Sequence, residues 1–281
     1  MKDDPAAAPR EGRDRVVASV LLFWVGYVAV TLVVGFVTST AIPSEVWQLT
    51  AWGLISSALL VAMSRLFTRN EKGPRTDLDL AVHPGSLKRL SMGMFVGVAS
   101  FGVHVGVISV FAGPVHFEWV PGVGAMAAAI YFVRFLATSC MEEVGFRGYS
   151  LRRLTPRIGP RSAVGVTAVA FGLSHLSYGW DLQTIALGVV PGGLLWGMSA
   201  IATRGLAVPI GLHAAWNFAG WTAGARSETG LLQMVVDDEV VERTQQVGTV
   251  SYLATFASLA LVFWFLYRRN VRLEQEAAPR V

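Results

Sequence analysis

Long stretches without a charged residue limit this fold more than any other feature of the sequence. A helix needs about 20 apolar residues to cross the roughly 30 Å hydrocarbon core of a bilayer. Seven uncharged runs reach about that length: 16–44, 46–64, 90–117, 162–180, 182–203, 205–225 and 244–267. An eighth apolar segment, 123–148, is interrupted by Arg134, Glu142 and Glu143. The sequence therefore predicts an all-α polytopic membrane protein, a bundle of eight transmembrane helices.

The composition excludes the common alternatives. Charged residues make up only 15% of the chain and hydrophobic residues 53%, whereas a soluble domain typically has about 25% charged residues. The single cysteine, Cys140, rules out an internal disulfide framework and a metal site built from several cysteines. A net charge of +4 could suggest nucleic acid, but the basic residues are spread over separate connections, so no nucleic-acid partner is expected.

The basic residues predict the orientation. All but three of the 23 lysines and arginines fall in the tails or in alternate connections; the exceptions are Arg134, Arg226 and Arg243. The segment 224–248 is acidic instead. By the positive-inside rule we expect an integral protein of the plasma (inner) membrane with both termini cytoplasmic. Residues 1–15 and 269–281 are expected to be disordered cytoplasmic tails around a transmembrane bundle at 16–268.

The interrupted eighth segment carries the first candidate site. A carboxylate in the middle of a spanning helix costs on the order of 2.5–3.5 kcal/mol on insertion scales, so adjacent Glu142 and Glu143 need partners or water. Glu143 stands four residues before Arg147, the favourable order for an ion pair on a helix. Glu142 has no such local cation. The alternative is that both glutamates lie beyond the membrane in a basic inner loop.

Two further helices carry polar groups that could meet this pair. The fifth contains Phe171 and His175, and in the seventh His213 and Asn217 stand four apart on one face. His104 in the third helix is interpreted as a core residue. A carboxylate in an apolar site can act as general base to water, and histidine and asparagine can donate hydrogen bonds to an oxyanion. That chemistry is peptide-bond hydrolysis.

The same residues could instead bind a catalytic zinc ion. One carboxylate and two imidazoles, from Glu142, His175 and His213, plus a water would form a catalytic zinc shell. The sequence does not decide between zinc and a metal-free glutamate mechanism. The cofactor is therefore left open.

Three motifs on successive helices resemble the CPBP intramembrane metalloproteases, the type II CAAX prenyl endopeptidase and bacteriocin-processing group that includes lysostaphin-resistance-like proteins. The resemblance covers about 120–222, which is the expected protease core. The motifs are Glu142-Glu143-x-x-x-Arg147, Phe171-x-x-x-His175 and His213-x-x-x-Asn217.

The resemblance implies a role for each motif. Glu142 would activate water with His175, and His213 with Asn217 would form the oxyanion site. Glu143 with Arg147 would hold the glutamate helix, and Phe171 belongs to the supporting set. It also implies an eight-helix bundle with an intramembrane cavity open to the cytoplasm and the bilayer.

The expected function is thus an integral-membrane endopeptidase that cuts a protein or peptide substrate, lipidated or not, near the cytoplasmic membrane face. A non-catalytic immunity or scaffold protein that retains the fold is the alternative, and a proton-coupled transporter is a minor one because no inverted repeat is visible. One observation argues against these side chains meeting at a single site. Measured from the ends of the uncharged runs at about 1.5 Å per residue, Glu142, His175 and His213 lie at different depths.

Overall fold

The computed structural model describes residues 12–69, 84–225 and 230–277. In this part of the chain eight helical segments follow one another, and two of the connections between them pair as a small antiparallel sheet. We number them α1 Arg13–Ala41, α2 Glu45–Arg69, α3 Ser86–Phe111, α4 Ala125–Ile158, α5 Pro160–Ser174, α6 Leu182–Thr203, α7 Ala207–Thr222 and α8 Val241–Ala277. The all-α bundle of eight helices predicted from the uncharged runs is confirmed.

Six of these helices are long and apolar enough to cross a membrane: α1, α2, α3, α4, α6 and α8. The other two, α5 with 15 residues and α7 with 16, are about 22–24 Å long at 1.5 Å per residue, less than the bilayer core. The protein is therefore a polytopic membrane bundle with six candidate spans in the described residues. The two short helices carry, or directly precede, candidate site residues.

Two of the long helices are not regular throughout. In α4 a π-helical turn, Val144–Gly148, separates the α-helical parts Ala125–Glu143 and Tyr149–Ile158. In α6 another π-helical turn covers Ile185–Val189. Such turns are inserted into α-helices frequently at functional sites. The turn in α4 begins directly after Glu142 and Glu143.

Glycines set the closest helix contact in the bundle, that of α3 with α7. A Cβ at Gly93 would lie 2.3 Å from the Val208 carbonyl oxygen, and one at Gly211 would lie 2.2 Å from the Leu90 carbonyl oxygen. Backbones can approach this closely only where no side chain intervenes. The contact holds α7, and with it His213, in a fixed position in the bundle.

Charges divide the bundle into two ends. At one end Arg89 reaches the Thr203 carbonyl at 3.4 Å, Arg204 pairs with Glu274, and Arg161 stacks on Trp264. We call this the basic end. In the described chain it carries Arg15, Arg65, Arg69, Lys88, Arg89, Arg152, Arg153, Arg157, Arg161, Arg204, Arg268, Arg269 and Arg272.

The opposite end is formed around a two-stranded antiparallel sheet. Strands β1 His116–Trp119 and β2 Leu232–Val235 pair antiparallel, with His116 opposite Val235. They tie the connection between α3 and α4 to the one between α7 and α8. We call this the acidic end. Its described carboxylates are Glu45, Glu118, Asp181, Asp237, Asp238, Glu239 and Glu242, beside the single arginine Arg243.

The C-terminal tail differs from expectation. Residues 269–277, expected to be disordered, continue α8 to Ala277. Asn270 donates to the Ala202 carbonyl oxygen at 3.3 Å, and Glu274 pairs with Arg204. These contacts, together with the lack of Gly or Pro between 268 and 277, keep this part helical. Of the N-terminal tail expected at 1–15, residues 1–11 lie outside the described part of the chain. The helix α1 already begins at Arg13.

Candidate functional site

A fully buried ion pair lies at the end of the first part of α4. Arg147 Nη1 donates to Glu143 Oε1 at 3.3 Å, and both side chains have no exposed surface. Arg147 Nη2 also donates to the Gly193 carbonyl oxygen of α6 at 2.9 Å. The guanidinium stands 4.6 Å from the Phe171 ring centroid. One arginine thus connects α4, α5 and α6, and the pair lies inside the bundle rather than in a loop.

His213 lies between the two adjacent glutamates. Its Nδ1 is 3.0 Å from Glu143 Oε1, and its Nε2 is 3.5 Å from Glu142 Oε2. Because a carboxylate without a proton only accepts, Nδ1 carries a hydrogen toward ionised Glu143. The Glu142 side chain keeps 14% of its surface exposed, whereas Glu143 keeps none. Glu143 is therefore held in place, and Glu142 faces open space.

His175 follows the last residue of α5 and is buried beside Phe171. Its Nδ1 is 2.9 Å from the Phe171 carbonyl oxygen. A carbonyl accepts but never donates, so Nδ1 carries the hydrogen and Nε2 of the neutral ring is left as an acceptor. The Phe171 ring is edge-on to both histidines, with centroids 4.9 Å from His175 and 6.2 Å from His213. Phe171 therefore separates and orients the two imidazoles.

These side chains share one cavity of about 1410 Å³. Glu142, His175, His213 and Asn217 all line it. Asn217 is half-buried, one helical turn beyond His213 on α7. The structure thus brings all four residues predicted as catalytic into the lining of one cavity. Phe171 also lines this cavity, and Glu143 and Arg147 are buried behind the lining. Their chemical roles stay predictions.

Several residues of the site carry no recognisable sequence signal. Trp196 of α6 stacks on His213 with centroids 4.8 Å apart and planes at 15°. Tyr27 of α1 and Tyr178 share a hydrogen bond near Glu142. Tryptophan and tyrosine are frequent in membrane helices, so nothing in the sequence distinguishes these three from packing residues. Only the fold brings them to the glutamate.

Arg134 of α4 and His104 of α3 also line the cavity. Arg134 lies over the rings of Tyr131 and Phe135 at 5.4 and 5.1 Å and interacts electrostatically with Glu45 of α2. His104 Nδ1 is 3.1 Å from Ser251 Oγ, so this ring nitrogen has a hydrogen-bond partner in α8.

The conflict in depth disappears once the long α4 is taken into account. Measured from Gly159, which joins α4 to α5, Glu142 and His175 stand 17 and 16 residues away, or about 25 and 24 Å. They therefore lie level with each other. His213 stands six residues into α7, about 9 Å, so the turn at Gly159 extends farther toward the basic end than the start of α7 does. The arginine-rich stretch 152–161 suits such an extension into water.

The residues do not form a zinc shell. In the described part of the chain no group of three His, Cys, Asp or Glu side chains is placed to hold one metal ion. The Nδ1 atoms of His175 and His213 face a carbonyl and Glu143, which leaves the Nε2 atoms available, and Nε2 of His213 contacts Glu142. In the placement found here, however, Glu142, His175 and His213 do not surround one point, so no step is derived through a metal.

Fold and site together define a polytopic membrane protein with a buried carboxylate and imidazole centre at the floor of a cavity. Residues 124–219 match the family model of the Type II CAAX prenyl endopeptidase Rce1-like proteins. This is a protease family, so the chain contains a domain of a membrane-protease family over those residues. No curated protein matches the chain. The matched segment contains every residue placed at the site from α4 through α7.

Proposed function

We propose that the protein is an integral-membrane endopeptidase that hydrolyses a peptide bond of a protein or peptide substrate with Glu142 as general base. The arrangement that carries the proposal is His213, which contacts the cavity-lining Glu142 on one side and the buried Glu143–Arg147 pair on the other. The bundle at 16–268 would hold a catalytic core at about 120–222, with both termini cytoplasmic.

The proposed reaction begins with a water between Glu142 and His175. Glu142 removes one proton from it, while His175 Nε2 accepts a hydrogen bond from the O–H that remains and so fixes the water's direction. The oxygen attacks the scissile carbonyl carbon and forms a tetrahedral intermediate. Glu142 then passes its proton to the leaving nitrogen, the C–N bond breaks, and a carboxylic acid and an amine result.

The oxyanion of the intermediate would be held by His213 Nε2 and the Asn217 amide. A preorganised donor of this kind typically contributes 10²–10³-fold in kcat. Glu143 supports the step because its hydrogen bond to Nδ1 fixes the ring, and a carboxylate there stabilises a protonated imidazole. The stacked Trp196 and the edge-on Phe171 limit rotation of His213.

The test compares membranes containing the wild type with membranes containing Glu142→Gln at equal abundance, by mass spectrometry of enriched peptide termini. Glu142→Gln should remove every protein end that depends on the enzyme. A matched control is Glu118→Gln, which changes an exposed carboxylate in β1 and should leave the set of ends unchanged.

The outcomes separate catalysis from a binding function. If Glu142→Gln yields the same ends as the wild type, Glu142 is not the base. If neither protein creates ends but both support the same cellular function, the chain acts as a non-catalytic immunity or scaffold protein. If the wild type alone creates ends, the mass spectra identify its substrates, and an assay of the purified protein on them gives kcat and KM.

A further inference from the structure

The cavity has a closed floor and an open side, and the open side is the acidic end. The floor is formed by Glu142, His213 and Trp196. From there the lining runs to Glu45 at the start of α2, Asp181 before α6 and Ala225 after α7. These positions belong to the acidic end.

The path from the site to the basic end is filled by packed side chains. Phe146, Tyr149, Leu151 and Leu154 of α4, which continue from the floor toward the basic end, are between 1% and 3% exposed. They belong to one apolar core with residues of α1, α5, α6 and α7. Within the described residues a substrate chain that starts at the basic end therefore finds packed core rather than an opening.

The two ends differ in charge in the way that membrane topology depends on. The basic end carries nearly all described lysines and arginines outside the core, whereas the acidic end has Arg243 beside seven carboxylates. The positive-inside rule counts lysine and arginine near the ends of spans and places the richer side in the cytoplasm. The cavity mouth then lies on the other side of the membrane.

We infer that the cavity opens on the non-cytoplasmic face and that substrate chains reach Glu142 from that side. The substrate class is thus a polypeptide segment outside the cytoplasm or in the outer leaflet. This is the reverse of the expectation, drawn from the resemblance, of a cavity open to the cytoplasm and cleavage near the cytoplasmic face. The substrate class rests on the proposed function, whereas the direction of the mouth does not.

The position of the floor agrees with access from the outer leaflet. Glu142 stands ten residues before Arg152 on α4, about 15 Å, which is half the thickness of the hydrocarbon core. Leu32 and Phe36 of α1 line the cavity, although 54% and 71% of their surfaces are exposed. The apolar wall thus reaches the lipid-facing surface between the middle of the bilayer and the mouth.

The direction of the mouth is tested by cysteine labelling. Cys140→Ala removes the only cysteine of the chain, and Gln183→Cys or Gln275→Cys then adds one. Gln183 lies exposed at the mouth, and Gln275 lies exposed near the end of α8 at the basic end, so the two substitutions form a matched pair. In intact cells a membrane-impermeant maleimide should label Gln183→Cys, and Gln275→Cys should be labelled only after permeabilisation.

Labelling overturns the inference if Gln275→Cys reacts in intact cells, or if Gln183→Cys reacts only after permeabilisation. Elution of each variant as the wild-type species in size-exclusion chromatography shows that it is folded. Because labelling needs no catalysis, it decides the direction of the mouth even if the protein cleaves nothing.

Sided activity tests the substrate class. A peptide substrate found in the comparison with Glu142→Gln should be cut when added to sealed right-side-out membranes. On sealed inverted vesicles the Glu142-dependent rate should be lost and should return when detergent opens them. Cleavage by intact inverted vesicles alone would contradict access from the outer side. If no preparation shows Glu142-dependent cleavage even in detergent, the proposed function and the substrate class fail, and the mouth direction still stands on the labelling.

Discussion

Arg147→Met should be among the most destabilising single changes in this protein. It removes a guanidinium that is wholly buried, leaves Glu143 without its cation, and removes the hydrogen bond to the Gly193 carbonyl that links α4 to α6. Removal of one partner from a buried ion pair typically costs about 3–5 kcal/mol because the other charge stays uncompensated. His213 offers only partial compensation, since it also contacts Glu142. We therefore expect a loss of about 3–5 kcal/mol in the free energy of unfolding.

The same reasoning ranks three related variants. Arg147→Lys keeps the charge but has a single donor group, so it should lose the bond to Gly193, about 1.5–3 kcal/mol for a hydrogen bond from a charged group. Glu143→Gln combined with Arg147→Met removes both charges and should recover much of the loss. Arg243→Met, at an exposed arginine of α8, is the control and should change stability by less than about 0.5 kcal/mol.

The measurement is equilibrium unfolding in mixed micelles with increasing denaturing detergent, monitored by tryptophan fluorescence, on all four variants and the wild type. The argument is refuted if Arg147→Met is no less stable than Arg243→Met. It is also refuted if the double variant is less stable than Arg147→Met alone, because a stranded carboxylate would then not be the cause of the loss.

Three further results are expected from the site and its surroundings. Asn217→Ala should lower kcat by about 10²–10³-fold through loss of an oxyanion donor while KM changes little, in a purified-enzyme assay; an equal rise in KM would contradict this role. Gly145→Ala should lower the thermal midpoint and activity, because its Cβ would lie 2.5 Å from the Tyr27 ring, whereas Gly165→Ala, with nothing within 4 Å, should be tolerated. Asp181→Asn at the mouth should reduce the preference for peptides with basic flanks over neutral ones, and the wild-type preference should itself decrease with added salt.

The helix count could be predicted from the sequence because charge is so costly in lipid. Every uncharged run contains a helix, and at least one charged residue separates each run from the next. Glycines spaced four residues apart do not by themselves predict which helices pack closely. Gly93 and Gly97 meet α7, and Gly193 and Gly197 meet α5, but Gly102 and Gly106 have no neighbour within 4 Å of a Cβ. Spacing shows that close contact is possible, and only the partner helix makes it occur.

The two-stranded sheet, the π-helical turns and the helical C-terminal segment could not be predicted in this way. Strands β1 and β2 are four residues each and come from connections far apart in sequence, so no local pattern shows their pairing. A π turn needs one extra residue in a helix whose composition is otherwise ordinary, as at Val144–Gly148. The segment after Arg268 reads as a polar tail until its contacts with Ala202 and Arg204 are seen.

Within the site, local pairs could be predicted and contacts between helices could not. The spacing of Glu143 and Arg147 by four residues predicts their ion pair, and the structure contains it. The contact of His213 with both glutamates depends on how far α4 and α5 extend beyond the membrane, and the uncharged runs place that boundary incorrectly. The length of α4 could be seen only once its continuity through the π turn was known.

The two adjacent glutamates differ because one imidazole contacts both. Neighbouring residues on a helix point about 100° apart, so one carboxylate can face the core while the other faces the cavity. Glu143 turns inward to Arg147, Glu142 turns to the cavity, and His213 reaches each through a different ring nitrogen. The buried pair is then more than an anchor for α4, because it fixes the ring whose other nitrogen adjoins the proposed base. Glu143→Gln should therefore change the pH profile of kcat as well as stability, whereas a purely structural Glu143 would change stability alone.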